Sequence, residues 1–103
     1  MVRSYGAMGV LIDRPLWWHR GRRWSHLVSD TDLDELHRFA ATAGIPERGF
    51  HDDHYDVPEE WFEAMVAQGA EVVGSREMVR RMRAAGLRRR RGHQVVNPTA
   101  EFG

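Results

Sequence analysis

Two spacings of apolar residues divide this chain. Runs of strand length occur at Gly9-Val10-Leu11-Ile12, at Trp24-Ser25-His26-Leu27-Val28-Ser29 and at Ala70-Glu71-Val72-Val73-Gly74. Between them Leu33, Leu36, Phe39, Ala40 and Ala43 recur at helical spacing, opened by the capping residues Asp30-Thr31-Asp32 and stopped by Gly44. A second helix is predicted to start at Pro58-Glu59-Glu60, to bury Trp61, Phe62, Met65 and Val66, and to stop at Gly69. A third is capped by Ser75, turns Met78, Val79 and Met82 inward and Arg80, Arg81 and Arg83 outward, and stops at Gly86. Gly49-Phe50-His51 adds a brief strand, and Arg14 to Arg23 reads as a loop. Strands alternating with helices predict an α/β fold, a single small domain with a short, mostly parallel sheet of about four strands and three helices.

A length of 103 residues fits one modest core. Residues 9–87 form the predicted domain, 1–8 an N-terminal extension, and 88–103 an arginine-rich tail with too few apolar residues to join the core. The absence of cysteine excludes disulfides, thiolate metal sites and cysteine nucleophiles. No run of about 18 apolar residues exists to span a membrane, and the first residues lack a signal-peptide core, so a cytoplasmic protein is expected. The net charge is zero, yet most carboxylates fall between Asp30 and Glu63 and the C-terminal part is basic. All 15 basic residues are arginine. Codon usage in a GC-rich genome accounts for that, and it also makes every cation a planar fork suited to phosphate or carboxylate.

The densest chemistry lies in His51-Asp52-Asp53-His54-Tyr55-Asp56. Such a run is costly to bury without partners, so it is either a solvated loop or the centre of a site. His54 and Asp56 can ligate a metal or act as an acid–base couple, or they can serve a loop and a helix cap. Of Asp52 and Asp53, at most one is expected to take part, because neighbouring residues seldom converge on one ion. In a parallel sheet, ligands bind beyond the carboxyl ends of the strands. There the predicted strands would gather Asp13, Ser29, Asp30, the His51–Asp56 run and Gly74-Ser75-Arg76. His26, inside a strand, is either a core histidine or aimed at His54. His37, on the apolar face of the first helix, reads as a hydrogen-bonded core residue. Ser75 and Arg76 at a helix start suit a phosphate, although capping alone explains the serine. Trp17, Trp18, Arg22 and Arg23 interleave flat rings with cations, which suits a stacked base with its phosphates, a cover for the core, or a homodimer contact.

Several motifs in order resemble a known family. Val10-Leu11-Ile12-Asp13, the Trp-rich loop, Trp24-Ser25-His26-Leu27-Val28-Ser29-Asp30, Asp34-Glu35-Leu36-His37, His54-Tyr55-Asp56 and Gly74-Ser75-Arg76-Glu77 resemble the bacterial and phage family called domain of unknown function 4031, marked by a His-Tyr-Asp motif. The resemblance runs from about Gly9 to Leu87. It implies no activity, but it directs attention to Asp13, His26, His37 and His54 to Asp56.

Two functions from different classes follow. One is a small metal-assisted hydrolase acting on a phosphate ester of a nucleotide or nucleic acid. Asp13, His26, His54 and Asp56 would hold zinc or manganese or activate water, with Ser75 and Arg76 on the phosphate. The other is a non-catalytic module in which the Arg/Trp loop binds a nucleotide, nucleic acid or acidic protein, and the His-Tyr-Asp motif is structural.

Overall fold

A three-residue strand such as Val10-Leu11-Ile12 is fully buried only when it has neighbours on both sides and cover on both faces, and β1 (Val10–Ile12) has all of these. The computed structural model describes residues 9–88, so the extension 1–8 and the tail beyond Arg88 lie outside the described residues. The remaining elements in chain order are β2 (Trp17–His19), β3 (Arg22–Ser29), α1 (Leu33–Ala43), β4 (Phe50–His51), β5 (His54–Pro58), α2 (Phe62–Gln68), β6 (Glu71–Val72) and α3 (Ser75–Ala84). The sheet order is β4-β5-β3-β1-β6, with β2 also paired to β3.

This corrects the expected sheet. It has six strands rather than about four, and only β1 with β6 is parallel. The reason lies in two hairpins that the sequence reading took for loops. Arg20-Gly21, at φ 53° and 79°, joins β2 to β3, and a two-residue turn with both φ positive matches the twist of an antiparallel pair. Asp52-Asp53, where only Asp52 has a positive φ (54°), joins β4 to β5 in a second two-residue turn. All three residues of β2 are exposed, so no burial pattern marks it as a strand.

The core has two parts, one on each face of the sheet. Val10, Ile12, Leu27, Tyr55 and Val57 pack with Leu36, Phe39 and Ala40 of α1 and with Phe62 and Met65 of α2. On the opposite face Leu11 and Val28 pack with Met78 and Met82 of α3. The caps of α1 follow its sequence: Asp32 accepts the Glu35 N–H at 2.8 Å, and Gly44 closes the helix at φ 83°. The second helix starts later than expected, because Glu59–Trp61 form a 3-10 turn, and Trp61 stays 40% exposed instead of buried. Gly74, not Ser75, occupies the N-cap of α3, and no side chain caps that end. Val79 is only half-buried. Arg81 does not point outward as expected; it clamps Asp30 through Nη2 at 2.7 Å and Nε at 2.9 Å, which ties α3 to the end of β3. Gly86, at φ 79°, follows the end of α3 as predicted, and the Leu87 N–H bonds to the Met82 carbonyl at 2.9 Å with its side chain against the α3 core. Among the described residues no helix is long and apolar enough to cross a membrane.

Candidate metal centre

The β3–β5 register puts His26 directly opposite Asp56. His54 lies two residues before Asp56 on β5, so strand alternation sends all three side chains to one face while Tyr55 and Val57 enter the core on the other. One donor atom each from His26, His54 and Asp56 lies within 4.8 Å of the others. The site therefore sits on a face of the sheet, not at the carboxyl edge of parallel strands as expected. In an antiparallel sheet neighbouring strand ends alternate in direction and cannot converge on one edge.

Each histidine is held from behind by an aspartate. Asp13 follows β1, where its Oδ1 accepts the His26 backbone N–H at 2.6 Å and its Oδ2 lies 2.8 Å from His26 Nδ1. The Asp13 hydrogen bond raises the His26 pKa above its ordinary value, outweighing burial, and the charges of Asp13 and Asp56 add to it against Arg88. Asp53 Oδ1 lies 2.8 Å from His54 Nδ1, and the Arg88 guanidinium forks onto both Asp53 oxygens at 3.0 Å. With both Nδ1 atoms committed, Nε2 is the free donor on each ring. Asp56 Oδ1 is buried and 3.2 Å from His54 Nε2, yet it accepts no hydrogen bond, while Oδ2 lies 3.5 Å from His51 Nε2.

Burial would raise the Asp53 pKa, but hydrogen bonds from His54 and Arg88 outweigh it and hold the carboxyl at about 2, against an ordinary 3.8. A depressed folded-state pKa stabilises the native protein above the unfolded value, and that contribution fades as pH falls through the folded one. Urea unfolding should therefore show about 1–2 kcal/mol lost between roughly pH 4 and pH 2, after allowance for solvent screening. Asp53→Asn should lack this step; an unchanged acid profile in that variant would count against the Arg88–Asp53–His54 chain.

Around the cluster, Trp17 stacks on His26 at 5.2 Å and on His19 at 5.4 Å, and His26 meets His54 edge-on at 5.3 Å. Trp18, Arg22 and Arg23 are not brought to the site. Trp18 is 64% exposed with Arg23 over its ring, and Arg22 is paired with Glu60 at 2.9 Å. Asp13 stands behind His26 and is not one of the three clustered donors. Ser75 shares a cavity of about 400 Å³ with Asp13, Trp17 and His26, whereas Arg76 lies in a separate depression beside Val79 and Arg83. His37 is half-buried, its Nδ1 2.7 Å from the Tyr55 hydroxyl and its ring against Phe50. Of Asp52 and Asp53, the structure brings Asp53 to the cluster, as a hydrogen-bond partner of His54 and not as one of the three clustered donors. The sequence reading put Arg88 in the tail, and nothing in the sequence pointed to its partner.

Comparison with known proteins gives a family without an activity. The chain is 38% identical over 85 residues to a UPF0301 protein of Xanthomonas euvesicatoria pv. vesicatoria, a match covering 77% of this chain and 43% of that protein. A UPF0301 protein of Xanthomonas oryzae pv. oryzae matches with the same identity and coverage. The chain thus spans less than half the length of these relatives. No solved structure matches. The family described as "Protein of unknown function (DUF4031)" matches residues 10–85. That span carries every element from β1 to α3 together with His26, His54 and Asp56, and the chain belongs to this family.

Proposed function

We propose that His26, His54 and Asp56 hold a divalent metal ion, zinc or manganese, and that the protein is a metal-assisted hydrolase of phosphate esters. The observation that carries this reading is the buried Asp56 Oδ1 without a hydrogen bond, 3.2 Å from His54 Nε2, in a cluster where His26, His54 and Asp56 each place a donor atom within 4.8 Å of the others. A buried carboxylate oxygen with no partner is costly, and a cation bound there would satisfy it. Carboxylates on the far nitrogens of metal-binding histidines fix the ring and its tautomer, which is the role of Asp13 and Asp53 in this reading. Mixed imidazole and carboxylate donors without sulfur suit zinc or manganese. Three protein ligands leave a position for water, as hydrolytic metal sites require.

His51, on the exposed side of Asp56, is the group best placed to accept a proton. In hydrolysis the water oxygen forms a bond to phosphorus and gives its proton to His51. The ester P–O bond breaks, and the leaving oxygen takes up a proton. A non-catalytic module would keep both Asp–His pairs but would leave Asp56 Oδ1 without a reason to be buried.

Metal content of protein purified without chelator, followed by a zinc or manganese competition titration, tests the ion. We expect one ion per chain, no binding in His54→Ala, and affinity reduced about 10–100-fold in Asp13→Asn. A protein indifferent to both metals refutes the site. Metal binding without turnover of bis(p-nitrophenyl) phosphate retains the ion and rejects the hydrolase.

A further inference from the structure

A groove of about 760 Å³ runs past the cluster, with His54 and Asp56 in its wall. Trp17, Trp24 and Trp61 supply flat apolar surface, and Arg20 and Arg48 supply charge. Trp17 is already stacked on His19 and His26, and the Trp24 N–H is bonded to the His19 carbonyl at 2.7 Å. Trp61 is the aromatic face left for a guest. It lies in the 3-10 turn before α2 and is 40% exposed. Arg20 and Arg48 are exposed, and among the described residues neither is held in an ion pair.

We propose that this groove binds a nucleoside monophosphate, with its base against Trp61 and its phosphate between Arg20, Arg48 and the metal cluster. The proposal rests on the metal reading for one of the phosphate contacts only. The volume lies within the range of small-molecule sites. Arginine forks suit phosphate oxygens, and an indole face suits any base. The charge pattern favours a single nucleotide over a strand. Arg22 is neutralised by Glu60 and Arg23 lies over Trp18, so the hairpin offers no continuing track of cations.

The test titrates the full chain with AMP, ribose 5-phosphate and adenosine, with and without manganese or zinc, following tryptophan fluorescence. AMP should bind roughly tenfold or more tighter than ribose 5-phosphate, the increment expected of one stacked base. Trp61→Ala should erase that difference and Trp61→Phe should keep part of it, which separates lost stacking from lost folding. Arg48→Ala should weaken both phosphates and leave adenosine unchanged. Equal binding of AMP and ribose 5-phosphate overturns the proposal. So does an affinity that climbs with each nucleotide added to an oligomer, which would indicate a strand. If neither manganese nor zinc changes anything while the base-dependent difference persists, the metal reading fails and the nucleotide groove stands.

Discussion

Saturating zinc should raise the melting midpoint of the protein by about 10 °C or more, and Asp56→Asn should not respond. An ion that binds only the folded state adds about 2.7 kcal/mol at a hundredfold excess over its dissociation constant. In a domain of this size 1 kcal/mol moves the midpoint by roughly 4–8 °C. Without metal the order should reverse. Asp56→Asn removes a charge whose Oδ1 is buried without a hydrogen bond, so the variant should melt no lower than the parent under chelation. A crossing of the two proteins between chelator and zinc is a signature that a simple stability defect cannot produce. Identical midpoints for the parent in both conditions would remove the basis for the site.

Leu27→Ala should cost about 3–4 kcal/mol in urea unfolding, with Trp18→Ala within about 0.5 kcal/mol of the parent. Leu27 is fully buried on the central strand, paired with Ile12 on one side and Tyr55 on the other. Its truncation opens a void between β1, β5 and α1, where close-packed neighbours relax only in part. Total stability of small domains is about 5–15 kcal/mol, so this single change should take a large share of it. Trp18 is 64% exposed and leaves no void. Near-equal effects would mean that the sheet centre is not where these contacts put it.

How much of this the sequence revealed depended on whether burial wrote a period into it. The helix α1 was legible, with its cap within Asp30-Thr31-Asp32 and its stop at Gly44, because one apolar stripe meets the core. The strand β2 was not legible, since Trp17, Trp18 and His19 are all exposed and show no alternation. His54-Tyr55-Asp56-Val57 does alternate half-buried with buried, but its charges suggested a loop. Missing these strands turned an antiparallel sheet into a parallel one. The sequence grouped Asp13, His26, His54 and Asp56 by donor chemistry alone, and the sheet brings one donor atom each from His26, His54 and Asp56 within 4.8 Å while Asp13 stands behind His26. Their support was not legible: the Asp13 and Asp53 hydrogen bonds and the Arg88 fork depend on which strands and turns meet.

The pairing of His26 with Asp56 carries a consequence for assembly. The same β3–β5 register that aligns these two also sends Leu27 and Tyr55 inward, so a slip of one residue would turn the donors into the core and the core side chains into solvent. The intervening chain contains the whole of α1 and the β4–β5 turn. His26 is far along the chain from His54 and Asp56, so the full donor set for the proposed ion exists only once the two strands have closed in register. Metal added during refolding should therefore leave the folding rate unchanged and slow only the reverse reaction, making the ion a lock fitted after the door is shut.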